Sequence, residues 1–146
     1  MSLILNEMTE NDLDEVISIS DLSLSVEAWS HKSFHEELNN PLAKYIVAKI
    51  NNNVIGFAGL WLIGDEGHIS NIAVHPNYRK QGVGKELIKS LLLHKKKWNL
   101  TSLTLEVRES NFIAKHLYKE FGFKEEGIRK NYYSDNNENA IIMWHR

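Results

Sequence analysis

The hydrophobic positions of the chain form short continuous runs over residues 44–74 and recur at a helical period in two segments after residue 81. In the first stretch, short apolar segments are separated by Asn- and Gly-rich turns, which is typical of strands in hairpins. In the second, apolar positions recur every three to four residues, as on the buried face of a helix, and the same period follows Thr9 and Ser30. The predicted strands are residues 3–8, 44–50, 54–63, 68–74, 102–108, 123–133 and 139–144, and the predicted helices begin at about residues 9, 30, 82 and 111, the last two ending at 98 and 121.

Caps and turns support these boundaries. Thr9 followed by Asp12 resembles a capping box, and Pro41 ends the second helix because proline cannot continue it. Ser110 is a candidate cap for the last helix, and Gly122 suits the position just after its end. The turns between the central strands are predicted at residues 51–53 and 64–67.

The predicted element order is β-α-α-β-β-β-α-β-α-β-β. The central β-α-β is the one unit that we expect to be parallel, because strands joined by short turns pair antiparallel. The order therefore predicts an α/β fold with a mixed sheet of about seven strands and about four helices, distributed over both faces. A chain of 146 residues corresponds to one domain, so residues 1–146 are expected to fold as a single unit.

Composition excludes several functional classes. With 42% hydrophobic and 25% charged residues, the chain has enough apolar material for a packed core. It contains no cysteine, which excludes a disulfide scaffold, a cysteine-ligated zinc site and a cysteine nucleophile. The N-terminus lacks the pattern of a secretion signal, and the longest apolar run, residues 54–63, is about half of what a membrane span requires. These features predict a cytoplasmic protein with no membrane partner.

Charge is distributed unevenly along the chain. The net charge of −2 argues against a general nucleic-acid binder. Residues 1–74 nevertheless carry 11 acidic and 3 basic side chains, and residues 75–146 carry 8 acidic and 14 basic ones. The basic half suits an anionic ligand and the acidic half a cationic one, although uneven scatter alone would also explain the difference. His31 and His35 have helical ligand spacing, but Lys32 follows the first where HExxH requires glutamate, so no metal is predicted.

The segment with the clearest chemistry is the loop Arg79–Gly84, which follows a predicted strand and begins a helix. The first turn of a helix presents backbone N–H groups and the positive end of the helix dipole, so such a loop binds phosphate or pyrophosphate. Position 79 is Arg and position 86 is Glu, which excludes a P-loop; position 87 is Leu, which excludes the Rossmann fingerprint. What remains is the pattern Arg-x-x-Gly-x-Gly.

This pattern resembles the acetyl-CoA signature of the GCN5-related N-acetyltransferases, the GNAT superfamily, and the element order resembles that fold along nearly the whole chain. Residues 105–133, LEVRESNFIAKHLYKEFGFKEEGIRKNYY, further resemble the RimI branch, the ribosomal-protein alanine N-acetyltransferases. Trp29-Ser30 followed by Phe34 and the segment 140–143 also resemble that branch. Ala28 departs from it, because proline is usual there.

The resemblance implies acetyl-CoA as co-substrate and assigns residues to its binding. The strand end 72–74 would present backbone N–H groups to the pantetheine and the thioester carbonyl, as in an oxyanion hole. Asn111 would contact the coenzyme. Glu106 would accept the proton of the amine, although strand alternation alone equally fits a glutamate on a solvated face. Tyr118 would protonate the leaving thiolate and contact the coenzyme, although its helix position also fits a core tyrosine. The implied coenzyme-binding residues are Ile72, Ala73, Val74, Arg79, Lys80, Gln81, Gly82, Val83, Gly84, Asn111 and Tyr118.

For the acceptor, the resemblance implies a protein N-terminal amine, namely the N-terminal alanine of small-subunit ribosomal protein number eighteen, acetylated directly in a ternary complex. The expected acceptor-binding residues are Trp29, Asp65, Glu66, Tyr132 and Tyr133. Two alternatives stay open: a GNAT enzyme for a small-molecule amine such as a polyamine or an antibiotic, and a non-catalytic CoA-binding sensor. The sequence leaves the oligomeric state open.

Overall fold

The computed structural model describes residues 2–23 and 31–146, and in that part of the chain a seven-stranded mixed sheet carries four α-helices. The α/β architecture and the predicted element order are therefore confirmed. The strands are β1 (Leu3–Glu7), β2 (Ala43–Ile50), β3 (Asn53–Ile63), β4 (Glu66–Val74), β5 (Ser102–Arg108), β6 (Lys124–Arg129) and β7 (Ala140–His145). The helices are α1 (Leu13–Ser23), α2 (His31–Leu38), α3 (Val83–Leu93) and α4 (Phe112–Glu120), and short 3-10 turns lie at Glu10–Asp12 and Pro76–Tyr78.

The strand order across the sheet is β1-β2-β3-β4-β5-β7-β6. Neighbouring strands are antiparallel except β4 and β5, which are joined through α3 and run parallel. The parallel pairing extends only from Glu66–His68 to Ser102–Thr104. Beyond these residues β4 and β5 separate, which opens a cleft in the middle of the sheet.

Each face of the sheet carries its own apolar core. On one face, α3 packs through Val83, Leu87, Ile88 and Leu91 against alternate residues of the sheet. On the other face, α1 and α2 pack around Phe34 and Phe57, whose rings meet edge to face at 5.8 Å. Burying apolar side chains on both faces is the main source of stability in such a layered fold.

Several predicted boundaries were wrong, and each has a local cause. The third helix ends at Leu93 rather than at residue 98, because the chain folds into turns in which Trp98 lies against the His94 ring at 4.7 Å and Asn99 adopts a left-handed conformation. The sixth strand ends at Arg129 rather than at residue 133, since Asn131 has a positive φ of 54°. The remaining strand ends shift by one or two residues, including the start of β4, which incorporates Glu66.

The cap of α4 also differs from the prediction. Asn111, not Ser110, is the N-cap, and its side-chain oxygen accepts a hydrogen bond from the Ala114 N–H at 3.1 Å. The Ser110 N–H instead donates to the carboxylate of Glu138 at 2.7 Å. The capping box of Thr9 and Asp12 is present as predicted.

Candidate active site

A cavity of about 520 Å³ occupies the cleft between β4 and β5. It is open to both faces of the sheet, because Leu105 and Val107 in its lining belong to the core under α3, whereas strand alternation places Glu106 between them on the opposite face. We call it the transfer cleft. Its lining includes residues 69–72 of β4, residues 104–108 of β5, Asn111, Ala114 and Tyr118 beside α4, Tyr132 and Tyr133 after β6, and Trp61, Ile63 and His68 at its far end.

The direction of each β5 side chain follows from strand alternation. Leu103, Leu105 and Val107 belong to the core under α3. Glu106 therefore faces the α1–α2 side, and it lines the transfer cleft. Its Oε1 accepts a hydrogen bond from the Nε of Arg129 on β6 at 3.2 Å. The candidate base is thus a carboxylate in the cleft that is already paired with a cation.

Tyr118 approaches the same cleft from α4, on the α3–α4 side. Its ring packs against Phe123 at a centroid distance of 5.7 Å. Burial raises the pKa of the Tyr118 hydroxyl to about 12, and the neighbouring Tyr133 acts in the same direction. The hydroxyl therefore stays protonated near neutral pH and can act as a proton donor.

The loop Arg79–Gly84 lies at the C-terminal end of β4, where α3 begins at Val83. Lys80 and Gly82 both have positive φ angles, 62° and 85°. A Cβ at Gly82 would meet no atom within 4 Å, so glycine is required there for its conformation rather than for space. Arg79 donates its Nε–H to the Val74 carbonyl at 3.3 Å, which fixes the loop to the end of the strand. Backbone N–H groups at the start of α3 and two cationic side chains suit a pyrophosphate.

The strand end 72–74 lies between this loop and the cleft. Ile72 lines the cleft, whereas Ala73 belongs to the α1–α2 core and Val74 packs beside the α3 core. A register shift opposite Gly59 and Leu60 leaves Ser70 unpaired with β3 and distorts β4 just before this segment. Asn111 also lines the cleft, although its side-chain oxygen serves α4 as a cap.

Of the five predicted acceptor residues, two line the cleft, two do not, and one is not described by the structure. Tyr132 and Tyr133 line the cleft, with their rings perpendicular at 5.1 Å. Asp65 and Glu66 do not line it: the Asp65 carboxylate accepts from the Thr101 hydroxyl at 2.9 Å, and Glu66 pairs with His68, which does line the cleft. Trp29, with its neighbours Ala28 and Ser30, lies outside the described residues.

The loop that carries the two tyrosines is anchored by Arg108 at the end of β5. The Arg108 guanidinium contacts both carboxylate oxygens of Asp135 at 3.1 Å and the Glu138 carboxylate at 3.4 Å. It also lies 4.0 Å from the centre of the Tyr133 ring. This cluster holds the loop over the cleft. The neighbouring Glu106 carboxylate, through hydrogen bonding and charge, raises the pKa of Tyr132, and both side chains line the cleft.

Sequence reasoning did not assign roles to Arg129, Trp61 or Glu37. Arg129 belongs to the segment 105–133 that carries the resemblance, but its pairing with Glu106 depends on the register of β5, β7 and β6. Trp61 lies four residues after Phe57 on the same strand, so strand alternation alone would have placed both side chains on the same face of the sheet.

The family model named Acetyltransferase (GNAT) family matches residues 11–123. The chain belongs to the GNAT acetyltransferase family. A Bacillus subtilis protein with a provisional assignment as a ribosomal protein bS18-alanine N-acetyltransferase is 44% identical over 138 residues, 94% of this chain and 91% of that protein. The Haemophilus influenzae ribosomal protein bS18-alanine N-acetyltransferase is 43% identical over 116 residues, 76% of this chain and 79% of that protein.

Solved structures agree with this family. The crystal structure of the Escherichia coli ribosomal-protein-S18-alanine N-acetyltransferase superposes with a TM-score of 0.89, at 33% identity, covering 98% of this chain and 92% of that chain. A Bacillus anthracis acetyltransferase solved in complex with acetyl coenzyme A has a TM-score of 0.81 at 26% identity, with 99% of both chains covered. This GNAT chain is therefore an acyltransferase that uses acetyl-CoA. Within the described residues, no helix is long and apolar enough to cross a membrane.

Proposed function

We propose that this GNAT enzyme acetylates the N-terminal alanine of ribosomal protein bS18, with residues 1–146 acting as one domain. The carrying observation is that Glu106 and Tyr118 reach one cleft from opposite faces of the sheet. One group that accepts a proton and one that donates a proton on either side of a reaction site suit amine acetylation. The relatives that act on bS18 support the choice of acceptor, and we place the reaction in the cytoplasm, where ribosomal proteins are made.

The coenzyme side of the site is the loop Arg79–Gly84 together with the strand end 72–74. The left-handed Lys80 and Gly82 turn the backbone so that N–H groups at the start of α3 can contact the pyrophosphate. Gln81, Val83 and Gly84 complete this turn, and Asn111 lines the cleft. When bound, acetyl-CoA supplies the acetyl thioester. The backbone of Ile72, Ala73 and Val74 then orients and polarises its carbonyl.

Glu106 accepts the proton of the incoming amine. A free α-amine has a pKa of about 8, so a carboxylate that acts directly or through one water molecule suffices at neutral pH. Arg129 pairs with the Glu106 carboxylate through its Nε at 3.2 Å. Because Arg129 is more than half exposed, it can turn toward solvent when the ammonium group of the acceptor arrives.

Tyr118 holds the second proton. Its hydroxyl stays protonated because burial raises the pKa to about 12, and it donates to the sulfur as the thiolate leaves. The sequence contains no cysteine that could carry an acyl group, which supports direct transfer between the two bound substrates.

On the acceptor side, Tyr132 and Tyr133 form a wall of the cleft that Arg108 holds in place. Trp29, Asp65 and Glu66 remain proposed contacts for a longer peptide. Asp65 and Glu66 would attract a cationic peptide from the rim rather than from the cleft itself.

A competition assay distinguishes this proposal from the small-molecule alternative. The enzyme and acetyl-CoA are mixed with a peptide that begins Ala-Arg, the same peptide with a blocked N-terminus and an added lysine, and spermidine, all at equal concentration. The proposal predicts that the free Ala-Arg peptide is acetylated fastest. Faster acetylation of spermidine or of the blocked peptide would refute it, and no transfer to any acceptor would favour a CoA-binding sensor.

A further inference from the structure

A buried carboxylate lies next to the transfer cleft and outside the proposed proton-transfer pair. Glu37 on α2 is only 5% exposed. It lies three residues after Phe34 and one before Leu38, so it is on the helix face that packs against the sheet. Burying a carboxylate is costly unless its oxygens are hydrogen-bonded, and Glu37 has such partners.

The Glu37 Oε2 atom accepts two hydrogen bonds. The indole Nε1–H of Trp61 donates at 2.6 Å, and the Tyr45 hydroxyl donates at 2.9 Å. Asn71 in turn donates to the Tyr45 oxygen at 3.2 Å. The network therefore connects α2, β2, β3 and the distorted part of β4.

The backbone is adapted to this network. A Cβ at Gly59 would lie 2.3 Å from the Tyr45 ring, so the ring can reach Glu37 only because residue 59 has no side chain. Burial raises the pKa of Tyr45, which keeps its hydroxyl a donor to the carboxylate. The position of Glu37 is thereby fixed by packing as well as by hydrogen bonds.

Trp61 is the member of the network that remains accessible. It is 40% exposed and lines the transfer cleft, next to its register partner His68. Phe57, Gly59 and Trp61 share strand parity, so the indole lies on the α1–α2 face, the same face as Glu106. Because its N–H is bonded to Glu37, the ring is held in one orientation and presents its aromatic surface to the cleft.

The position of Trp61 along the sheet indicates what it can contact. Its partner His68 lies four residues before Ile72, where the acetyl group is proposed to bind. At about 3.3 Å per residue, and with the distortion at Ser70, this separation is roughly 10–13 Å. An extended peptide with its α-amine at the reaction site would reach Trp61 with its third or fourth residue.

We propose that Glu37 is a positioning residue that fixes Trp61 as a subsite for the third or fourth residue of the acceptor peptide. This inference rests on the proposed Nα-acetyltransferase function. The aromatic surface suits an aliphatic or cationic side chain. The subsite adds to the binding of a peptide but cannot act on an acceptor that ends after its first residue.

The test measures kcat and KM for two acceptors, a six-residue peptide that begins with alanine and alaninamide. Four variants are compared with the wild type: Glu37→Gln, Trp61→Phe, their combination, and Glu36→Gln. Glu36 is an exposed neighbour on α2, so its variant removes one negative charge from the same helix without changing the Glu37–Trp61 hydrogen bond. We expect Trp61→Phe, which removes the indole donor, to raise the peptide KM about tenfold with kcat nearly unchanged. Glu37→Gln keeps an oxygen that can accept the indole hydrogen bond but removes its charge, so we expect a smaller rise in the peptide KM, about threefold to fivefold. Alaninamide kinetics should stay at the wild-type level, and the double variant should be no worse than Trp61→Phe, because Glu37 acts through the indole.

Three results would overturn the proposal. They are an unchanged peptide KM in Trp61→Phe, an equal loss with alaninamide, or effects of the two substitutions that multiply. If thermal unfolding shows that Glu37→Gln is not folded, the comparison of the peptide with alaninamide in Trp61→Phe still tests whether Trp61 is a peptide subsite. A failure of the proposed Nα-acetyltransferase function can be distinguished from a failure of the subsite. In the first case the wild-type enzyme would acetylate neither the peptide nor alaninamide at the α-amine.

Discussion

Glu106→Gln removes the proposed proton acceptor while preserving the shape of the side chain. The substitution also breaks the pair with Arg129, whose Nε lies 3.2 Å from the carboxylate. Because the Arg129 side chain is 55% exposed and that of Glu106 is 29% exposed, this pair contributes at most about 1 kcal/mol to the free energy of unfolding. The variant is therefore expected to fold, and its main defect should be catalytic.

The expected catalytic loss follows from the role of a general base. Removing such a group lowers kcat/KM by about 10²-fold or more, equivalent to about 2.7 kcal/mol of transition-state stabilisation. The loss should become smaller above about pH 8, where the α-amine is already neutral. Affinity for CoA should not change, because Glu106 is on the α1–α2 face and the pyrophosphate loop begins α3 on the other.

The assay is steady-state acetylation of an Ala-Arg peptide between pH 6 and 9, with CoA affinity measured by calorimetry. Glu125→Gln is the matched control, because it breaks a comparable exposed pair with Lys119 at 2.6 Å, and Glu125 is not a cleft residue. The control should keep wild-type activity. If Glu106→Gln turned over within twofold of the wild type across this pH range, Glu106 would not be the base.

Three further predictions concern other parts of the molecule. Tyr118→Phe should lower kcat about tenfold or more with an unchanged fold, measured by steady-state kinetics and circular dichroism; wild-type turnover would exclude the hydroxyl as proton donor. Gly82→Asp places a side chain at a φ of 85° and a negative charge beside the pyrophosphate, so CoA affinity should fall at least about tenfold by calorimetry; unchanged affinity would refute the loop assignment. Burial opposes ionisation of Asp12, but the Lys49 ammonium at 2.8 Å and the Thr9 N–H hold the pKa of Asp12 below its ordinary value of 3.8. This group therefore stabilises the fold above its unfolded-state pKa, and that stability is lost as the pH falls through the lower folded-state pKa. Urea unfolding of Asp12→Asn should then depend less on pH between about 7 and 3, and an unchanged pH dependence would contradict this.

The fold was predictable because its signals are local. Between Ala43 and Val74 the chain has three apolar strand segments separated by turns rich in Asn and Gly, and the helical period of α3 follows a phosphate-type loop. Each of these patterns is formed by residues that are close together in the sequence, so it can be recognised without knowledge of the fold. The ends of elements were less predictable, since the left-handed Asn99 and Asn131 compete with continued helix or strand.

The candidate site was predictable only in part. Glu106, Tyr118, Tyr132 and Tyr133 came from a resemblance, and they lie in one cleft. The pairing of Glu106 with Arg129 required the register of three strands, and the contact of Glu37 with Trp61 required the position of α2 against β3. Such contacts join residues about 20 positions apart, and no local pattern encodes them.

The central claim is that this enzyme acetylates a protein N-terminus rather than a side chain or a small amine. The most direct measurement is tandem mass spectrometry of purified bS18 that exposes its N-terminal alanine, after incubation with the enzyme and acetyl-CoA. The account predicts one added acetyl group, located on the α-amine of that alanine, and none with Glu106→Gln over the same time. Acetyl groups found on lysine side chains, or an unmodified α-amine under conditions in which spermidine is acetylated, would contradict it.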